Sequence, residues 1–555
     1  MRKLSSSIAA VTVVCGSLVL FSQESTDLAV VDRIKSEAFT RSEVMEHLRE
    51  LTDTHGPRLT GSPGFDAAAK WAMNRLTGYG LSNVHLEGWG PFGRSWSVQQ
   101  YSVELLTPGY AQLAVMPLAW SRSTDAPVIG EPILAPLGSD FLQGPARQAA
   151  TFAEYQTRWR GKLRGRIILA SANMPLRPRE RPLFTRFSDE QLAELAKAPK
   201  SMQSYARLDD IPWPDNPEDV SSLLMSLPDG LLEQLIDRFD QFAVERAKFF
   251  VDEGVAAILL SDERGRGGAV AAEAAGPFRS RDPLAPPTFV VSAEHYGRLA
   301  RLVEHKEPVS LRINLKVNVS STDVQGANII AELPGARRDE VVLIGAHFDS
   351  WHAATGATDN AAGSAVMIEV MRILKSLDVQ LGRTVRIALW GGEEQGLLGS
   401  RAYVKAHFAD PATLVPLPEH AKLSGYFNLD NGSGRIRGVY LQGHEAMRPI
   451  FEGWFAPFRD LGVTTTTIRD TGATDHLVFT RVGLPGFQFI QDPLGYETET
   501  HHGSSDTFDH AVAEDLKQAS AVIASVVYHA AMRPERLPRR PQANPASRSV
   551  PKPTN

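Results

Sequence analysis

Only one cysteine occurs in 555 residues, Cys15, and it lies in an apolar run near the N-terminus. Disulfides therefore cannot hold the fold together, which leaves that task to core size and bound ligands. The apolar run covers residues 8–21, too short to cross a bilayer comfortably, since a span needs ~20 residues. It follows Arg2 and Lys3 and precedes the polar Ser22-Gln23-Glu24-Ser25, the layout of a secretory signal over residues 1–23. Export fits this pattern better than an uncleaved anchor, and Val14 before Cys15 is larger than a lipoprotein signal places there. The expectation is a secreted or periplasmic protein with no stable membrane insertion after signal cleavage. A strong charge of either sign is also missing: the net charge is -6, which gives no reason to expect nucleic acid as a partner.

What is present begins with length. At roughly 100–200 residues per domain the chain should hold two or three folding units. Thr40-Arg41-Ser42-Glu43 has the form of a capping box, and Val44, Leu48 and Leu51 follow at helical spacing. A second helical stretch runs through Ala67, Trp71 and Leu76, so two helices are expected to open the mature chain. From about residue 84 the pattern becomes short alternating runs broken by glycine and proline, with a Pro-rich and charge-rich stretch over residues 172–240. From residue 328 onward apolar strands alternate with amphipathic helices. This predicts an α/β fold with a mostly parallel central sheet flanked by helices.

The chemistry-bearing residues lie in this last region. They are His347 and Asp359 in HFDSWHAATGATDN, Glu393 and Glu394 in WGGEEQG, Asp430 in NLDNGSG, and a histidine in THHGSSDT. Hard carboxylate oxygens and imidazole nitrogens suit zinc or a similar divalent ion. Each element alone is weak, because an adjacent Glu pair is often just a helix surface and Asp359 could simply cap a helix. Their order changes this, since each falls after a predicted strand and ligands gather at the carboxyl ends of strands in open α/β sheets. Two divalent ions against the carboxylates of Asp359, Glu394 and Asp430 leave one net positive charge, which a bound hydroxide would neutralise. Glu393 is then free to act as general base. Asp349, two residues past His347, is placed to orient the imidazole through its other nitrogen. Spacing alone does not choose between His501 and His502 as the last ligand.

At these residues the chain resembles the M28 family of zinc peptidases, and within it the branch of carboxypeptidase Q and its bacterial aminopeptidase-like relatives. The matching pieces are GAHFDSWHAATGATDNAAG, LWGGEEQGLLGS, FNLDNGSG and QDPLGYETETHHGSSDT. The resemblance implies two Zn2+ ions bridged by Asp359, with His347 and Asp430 on one ion and Glu394 and His502 on the other. His502 is preferred because the family ligand lies four residues before the Asp-Thr found here as Asp506-Thr507. A strained peptide bond is implied at Asp359-Asn360. A β-rich protease-associated domain is commonly inserted in such proteins, and GKLRGRIILA and EGVAAILLSD resemble it. The expected organisation is therefore a signal over 1–23 and an N-terminal part of the catalytic domain over 24–117. A protease-associated insert over 118–317, with the Pro-rich insertion 172–240, precedes the catalytic domain over 318–533 and a disordered tail over 534–555. The M20 peptidases use a similar ligand order, but place the bridging Asp much farther beyond the His-x-Asp.

The function implied is an exported di-zinc exopeptidase of aminopeptidase, carboxypeptidase or dipeptidase type. It would cut near the terminus of short peptides with a metal-bridging hydroxide and Glu393 as general base. Two alternatives differ in kind: a glutaminyl cyclase-like cyclotransferase, and a non-catalytic peptidase-like binding protein. Glu497, Glu499 and Tyr496 are candidates to meet a substrate amine, and Arg481 or Arg469 a carboxylate. Oligomeric state is left open.

Overall fold

An apolar run such as residues 341–346 has no polar face, so it can be stable only between two layers. A computed structural model of the chain puts it there. It describes residues 24–540 apart from 25, 138–144, 174, 177–181, 200–206, 215–222, 225–226, 228, 263 and 265–266. The expected signal and the far end of the expected tail lie outside the described residues.

Within the strand Arg337–His347, Val342, Ile344 and Ala346 face one core, packed by the helices Ala362–Ser376 and Ala513–Met532. Val341 and Leu343 face the other, with the helices Leu398–His407 and His476–Arg481. The two-residue period of a strand thus serves both layers at once. The sheet has ten strands. Its centre is parallel: Gly486–Gln491, Leu423–Asn428, Arg337–His347 and Arg383–Trp390 lie side by side in that order. Antiparallel neighbours flank this centre, Ile436–Tyr440 on one side and Ser310–Leu333 on the other.

Three helices, not two, open the described chain: Leu28–Thr40, Val44–Arg49 and Pro63–Gly78. The first buries Val30, Val31, Ile34 and Ala38 against the sheet's helical layer. The capping box expected at Thr40 does not form, because the Thr40 hydroxyl donates back to Ser36 O within the preceding helix at 2.6 Å. At the other end, the tail expected to be disordered is packed through residue 540. Leu537 is buried and Arg539 donates to the carbonyls of His420 and Leu423.

The strands Ser82–Thr107 and Ser310–Leu333 pair antiparallel from Ser82 opposite Glu332 to Thr107 opposite Ser310. Aliphatic side chains at the far half of this ribbon, Val103, Leu105, Leu311 and Ile313, join a separate core. That core belongs to a second sheet of five short strands, Val115–Pro117, Thr288–Val291, Ala257–Ser261, Ile167–Leu169 and Pro132–Leu134. Helices Pro145–Trp159, Asp229–Glu253 and Ala293–Glu304 accompany it. The ribbon is shared by both units, so no boundary at 117 or 317 separates them cleanly. Within the Pro-rich stretch the helix Asp189–Lys197 carries a complete capping box between Ser188 and Gln191.

His352 joins the two units. It is buried, and its Nε2 hydrogen donates to Pro117 O at 2.7 Å, with the Trp96 ring 4.9 Å away. Burial pushes its imidazole down to about 4. The neutral form therefore stabilises the fold at pH values above the unfolded value of about 6.5, and this stabilisation is lost as pH falls from there towards 4. Between pH 8 and pH 5 the loss amounts to about 2 kcal/mol. Denaturant unfolding of His352→Gln should show a pH dependence shallower than that of the parent by this amount; equal slopes would refute the assignment.

Candidate metal centre

The parallel strands end on one edge, and the loops leaving them carry the acids and imidazoles. His347 is the last residue of its strand. Its Nδ1 hydrogen donates to Asp349 O at 3.0 Å, which turns Nε2 towards Asp359 Oδ1 at 3.1 Å and Asp430 Oδ1 at 3.2 Å. On the far side of Asp359, His502 Nε2 stands 3.4 Å from Oδ2 and 3.1 Å from Glu394 Oε2. One carboxylate thus faces a His-Asp pair with one oxygen and a His-Glu pair with the other. His501 Nε2 is 3.8 Å from Asp359 Oδ2, and its ring is 4.0 Å from that of His502. Both histidines therefore come within reach, with His502 nearer and also beside Glu394.

The arrangement is acid-rich. Burial alone would push the Asp359 carboxyl up, but His347, His502 and His501 outweigh it and hold it low. Glu394 is pushed up to about 8 by burial and then by Asp359. Glu393 is raised well above the ordinary carboxylate range by burial, with Asp430, Asp475 and Glu394 adding to it against the pull of His347. Asp359 Oδ2 is buried with no hydrogen-bond partner among the described residues. With Nδ1 of His347 committed as a donor, a neutral ring turns a lone pair towards carboxylate oxygens. Positive charge reconciles such a set. Against the lowering effect of burial, the surrounding acids raise the His347 imidazole well above its ordinary value and His502 to about 10. A bound cation would take the place of those protons, and the donor types fit zinc.

The backbone that carries these groups is itself held. Arg58 is fully buried and donates to four carbonyls, Phe348 at 2.8 Å, Leu51 at 2.7 Å, Thr355 at 2.8 Å and Gly356 at 2.9 Å. Burial brings its guanidinium down to about 10, so it stays charged. Gly356 turns the loop at φ 66°, and a Cβ there would meet the Ser350 Cβ at 2.3 Å. Asp506 accepts from Thr358 N at 2.6 Å and Asp359 N at 3.1 Å, fixing the residue that faces both pairs. The Asp359–Asn360 peptide bond is cis.

Asp349 plays a different part from the one the sequence suggests. Its carboxylate lies 3.7 Å from His347 Nδ1, and the ring is oriented by its backbone carbonyl instead. The carboxylate accepts from the Thr60 hydroxyl at 2.8 Å and from the amides of Glu393 and Glu394 at 3.2 and 3.3 Å. It holds the Glu pair, because the Gly391-Gly392 exit from the neighbouring strand points those amides at it. Of the candidate substrate contacts, the Tyr496 ring lies 4.9 Å from that of His501, and Glu497 is 3.7 Å from His501 Nδ1. Arg481 pairs with Glu233 at 2.5 Å, on the side of the helix Leu398–His407 where Arg401 meets the same acid. Arg58, Thr60, Asp506 and Glu273, which contacts His502, were not singled out as site residues from the sequence. All four act across long sequence separations.

Residues 328–527, which contain every one of the expected ligands, match the family model of Peptidase family M28. The chain carries an M28 peptidase domain. It is a hydrolase of the metallopeptidase kind. Over 515 residues it is 25% identical to carboxypeptidase Q of Rattus norvegicus, covering 92% of this chain and 89% of that protein. A peptidase M28 precursor from Shewanella amazonensis SB2B matches in structure with a TM-score of 0.62 at 23% identity, over 93% of this chain and 99% of that one. BSAP, a zinc aminopeptidase from Bacillus subtilis, matches with a TM-score of 0.52 at 19% identity, over 88% and 95% of the two chains. The two structural likenesses show a shared fold.

Arg58→Met should destabilise the fold by about 3 kcal/mol or more, since it strips a buried charged donor from four carbonyls. Arg58→Lys should recover little of that loss, because an ammonium cannot reach four acceptors with a planar fork. Denaturant midpoints provide the measurement, and a loss below about 1 kcal/mol for the Met variant contradicts the role given to Arg58.

Proposed function

We propose that the protein is an exported di-zinc exopeptidase acting on short peptides. The observation that carries this reading is the two-sided environment of Asp359, with His347 and Asp430 at Oδ1 and Glu394 and His502 at Oδ2. These five residues would hold the two ions. Zinc bound there polarises the scissile carbonyl and lowers the pKa of the attacking water.

The chain's own groups supply the rest. Glu393, beside the ligand Glu394, takes a proton from the attacking water and returns it to the departing amine, the two halves of general acid–base work that one positioned carboxylate can do. Asp349 fixes Glu393 and Glu394 through their backbone amides, so the base cannot drift from the ligand beside it. Tyr496 and Glu497, next to His501, border the site on the side where a peptide terminus would lie. The second unit is read as a protease-associated insert, and the apolar stretch of residues 8–21 as an export signal. Among the described residues no helix is long and apolar enough to cross a membrane.

Glu393→Gln should retain zinc, measured by elemental analysis, while kcat falls about 10²–10⁴-fold; near-normal turnover removes Glu393 from the mechanism. Di- and tripeptides, free or blocked at either end, should be shortened by one residue only when one particular terminus is free. A chelator should abolish the cleavage and added zinc should restore it. Cyclisation of a Gln-initiated peptide, or cleavage indifferent to both blocks, would overturn the exopeptidase reading.

A further inference from the structure

We infer that Glu273, carried by the second unit, is the positioning carboxylate for His502, so that one ion of the pair owes part of its affinity to that unit. The inference rests on the two-ion reading above. Glu273 Oε1 lies 2.6 Å from His502 Nδ1, across 229 residues of sequence. With that ring nitrogen donating to Glu273, Nε2 is left to face Glu394 and Asp359.

The contact is built into the backbone. Ala271 lies opposite Gly503 in an antiparallel bridge, Ala272 N donates to His502 O at 3.1 Å, and Ser504 N donates to Val270 O at 2.7 Å. Val270 N donates to the Ser504 hydroxyl at 3.1 Å. Arg264 Nη1 donates to His501 O at 2.8 Å, and its Nη2 stands 3.6 Å from the same Glu273 oxygen. Buried Asp262 holds this segment from behind, accepting from Arg264 N and Ala271 N at 2.9 Å each. Arg264, Ala272 and Glu273 therefore clamp both histidines of the His-His pair through their carbonyls and one of them through its ring.

The two ligand imidazoles are not equivalent. His347 donates its Nδ1 hydrogen to a neutral carbonyl from its own loop, whereas His502 donates to an anion from another folding unit. A carboxylate partner makes an imidazole a stronger donor to a metal and fixes its plane, and losing such a partner weakens binding by about 10–100-fold. The loss should fall on the ion at His502 and Glu394, not on the ion at His347 and Asp430.

The test is titration of metal-free full-length protein with zinc against a chromophoric chelator, for the parent, Glu273→Gln and Glu273→Ala. The parent should take up two ions. Glu273→Ala should bind one ion as the parent does and the other about 10–100-fold more weakly, with Glu273→Gln between them. The metal-free variants should unfold at the parent's temperature, which separates lost affinity from lost fold. Two ions held as tightly in Glu273→Ala as in the parent, or both weakened alike, overturn the inference while leaving the two-ion reading intact. A parent that binds fewer than two ions overturns that reading, and the inference with it.

Discussion

Acidic side chains crowded at the ends of parallel strands repel one another in a place where water cannot screen them, and everything else at this site follows from that repulsion. Asp359 and Asp430 are buried, Glu394 has a side chain 3% exposed, and Glu393 adjoins them. Burial first, and then the neighbouring acids, raise Glu393 and Glu394 well above the ordinary carboxylate range. A protein keeps such a cluster only where cations repay the desolvation. The scaffold around it is correspondingly firm. Arg58 ties four carbonyls, Asp506 grips the amide of Asp359, and Asp349 grips those of the Glu pair.

The same logic explains what could be read from residues alone. The strand ending at His347 announces itself as the apolar run 341–346, and those ending at Trp390 and Asn428 as shorter apolar stretches interrupted by Arg386 and by Ser424, so the positions of His347, Glu393, Glu394 and Asp430 at strand exits are local facts. The choice between His501 and His502 was not local, and came from resemblance to a family motif. Groups whose role depends on folding at a distance left no trace. Arg58 follows Gly-Pro in an unremarkable turn, and Glu273 sits among alanines with no motif about it. Thr40 misled because a hydroxyl that can cap a following helix can equally bond back to the preceding one, and here it does. Asp349 is legible as a partner of His347, but its carbonyl rather than its carboxylate orients the ring, a distinction of orientation that spacing does not encode.

The two units share more than a border. The paired strands Ser82–Thr107 and Ser310–Leu333 belong to the large sheet at one end and to the second core at the other. His352 reaches from the loop after His347 to Pro117, while residues 270–273 line the His502 loop. The candidate metal site is therefore bordered on two sides by a unit that contributes none of its expected ligands.

That shared ribbon also sets the mechanics of the molecule. Two bodies linked by a flexible tether can gape apart, but here a swing between them would have to bend or unzip a continuous antiparallel ladder. Its register breaks, among them those between Trp89 and Gly93 and between Arg94 and Trp96, interrupt that ladder. Relative movement of the two cores would therefore have to pass through those irregularities, where the ladder is already interrupted.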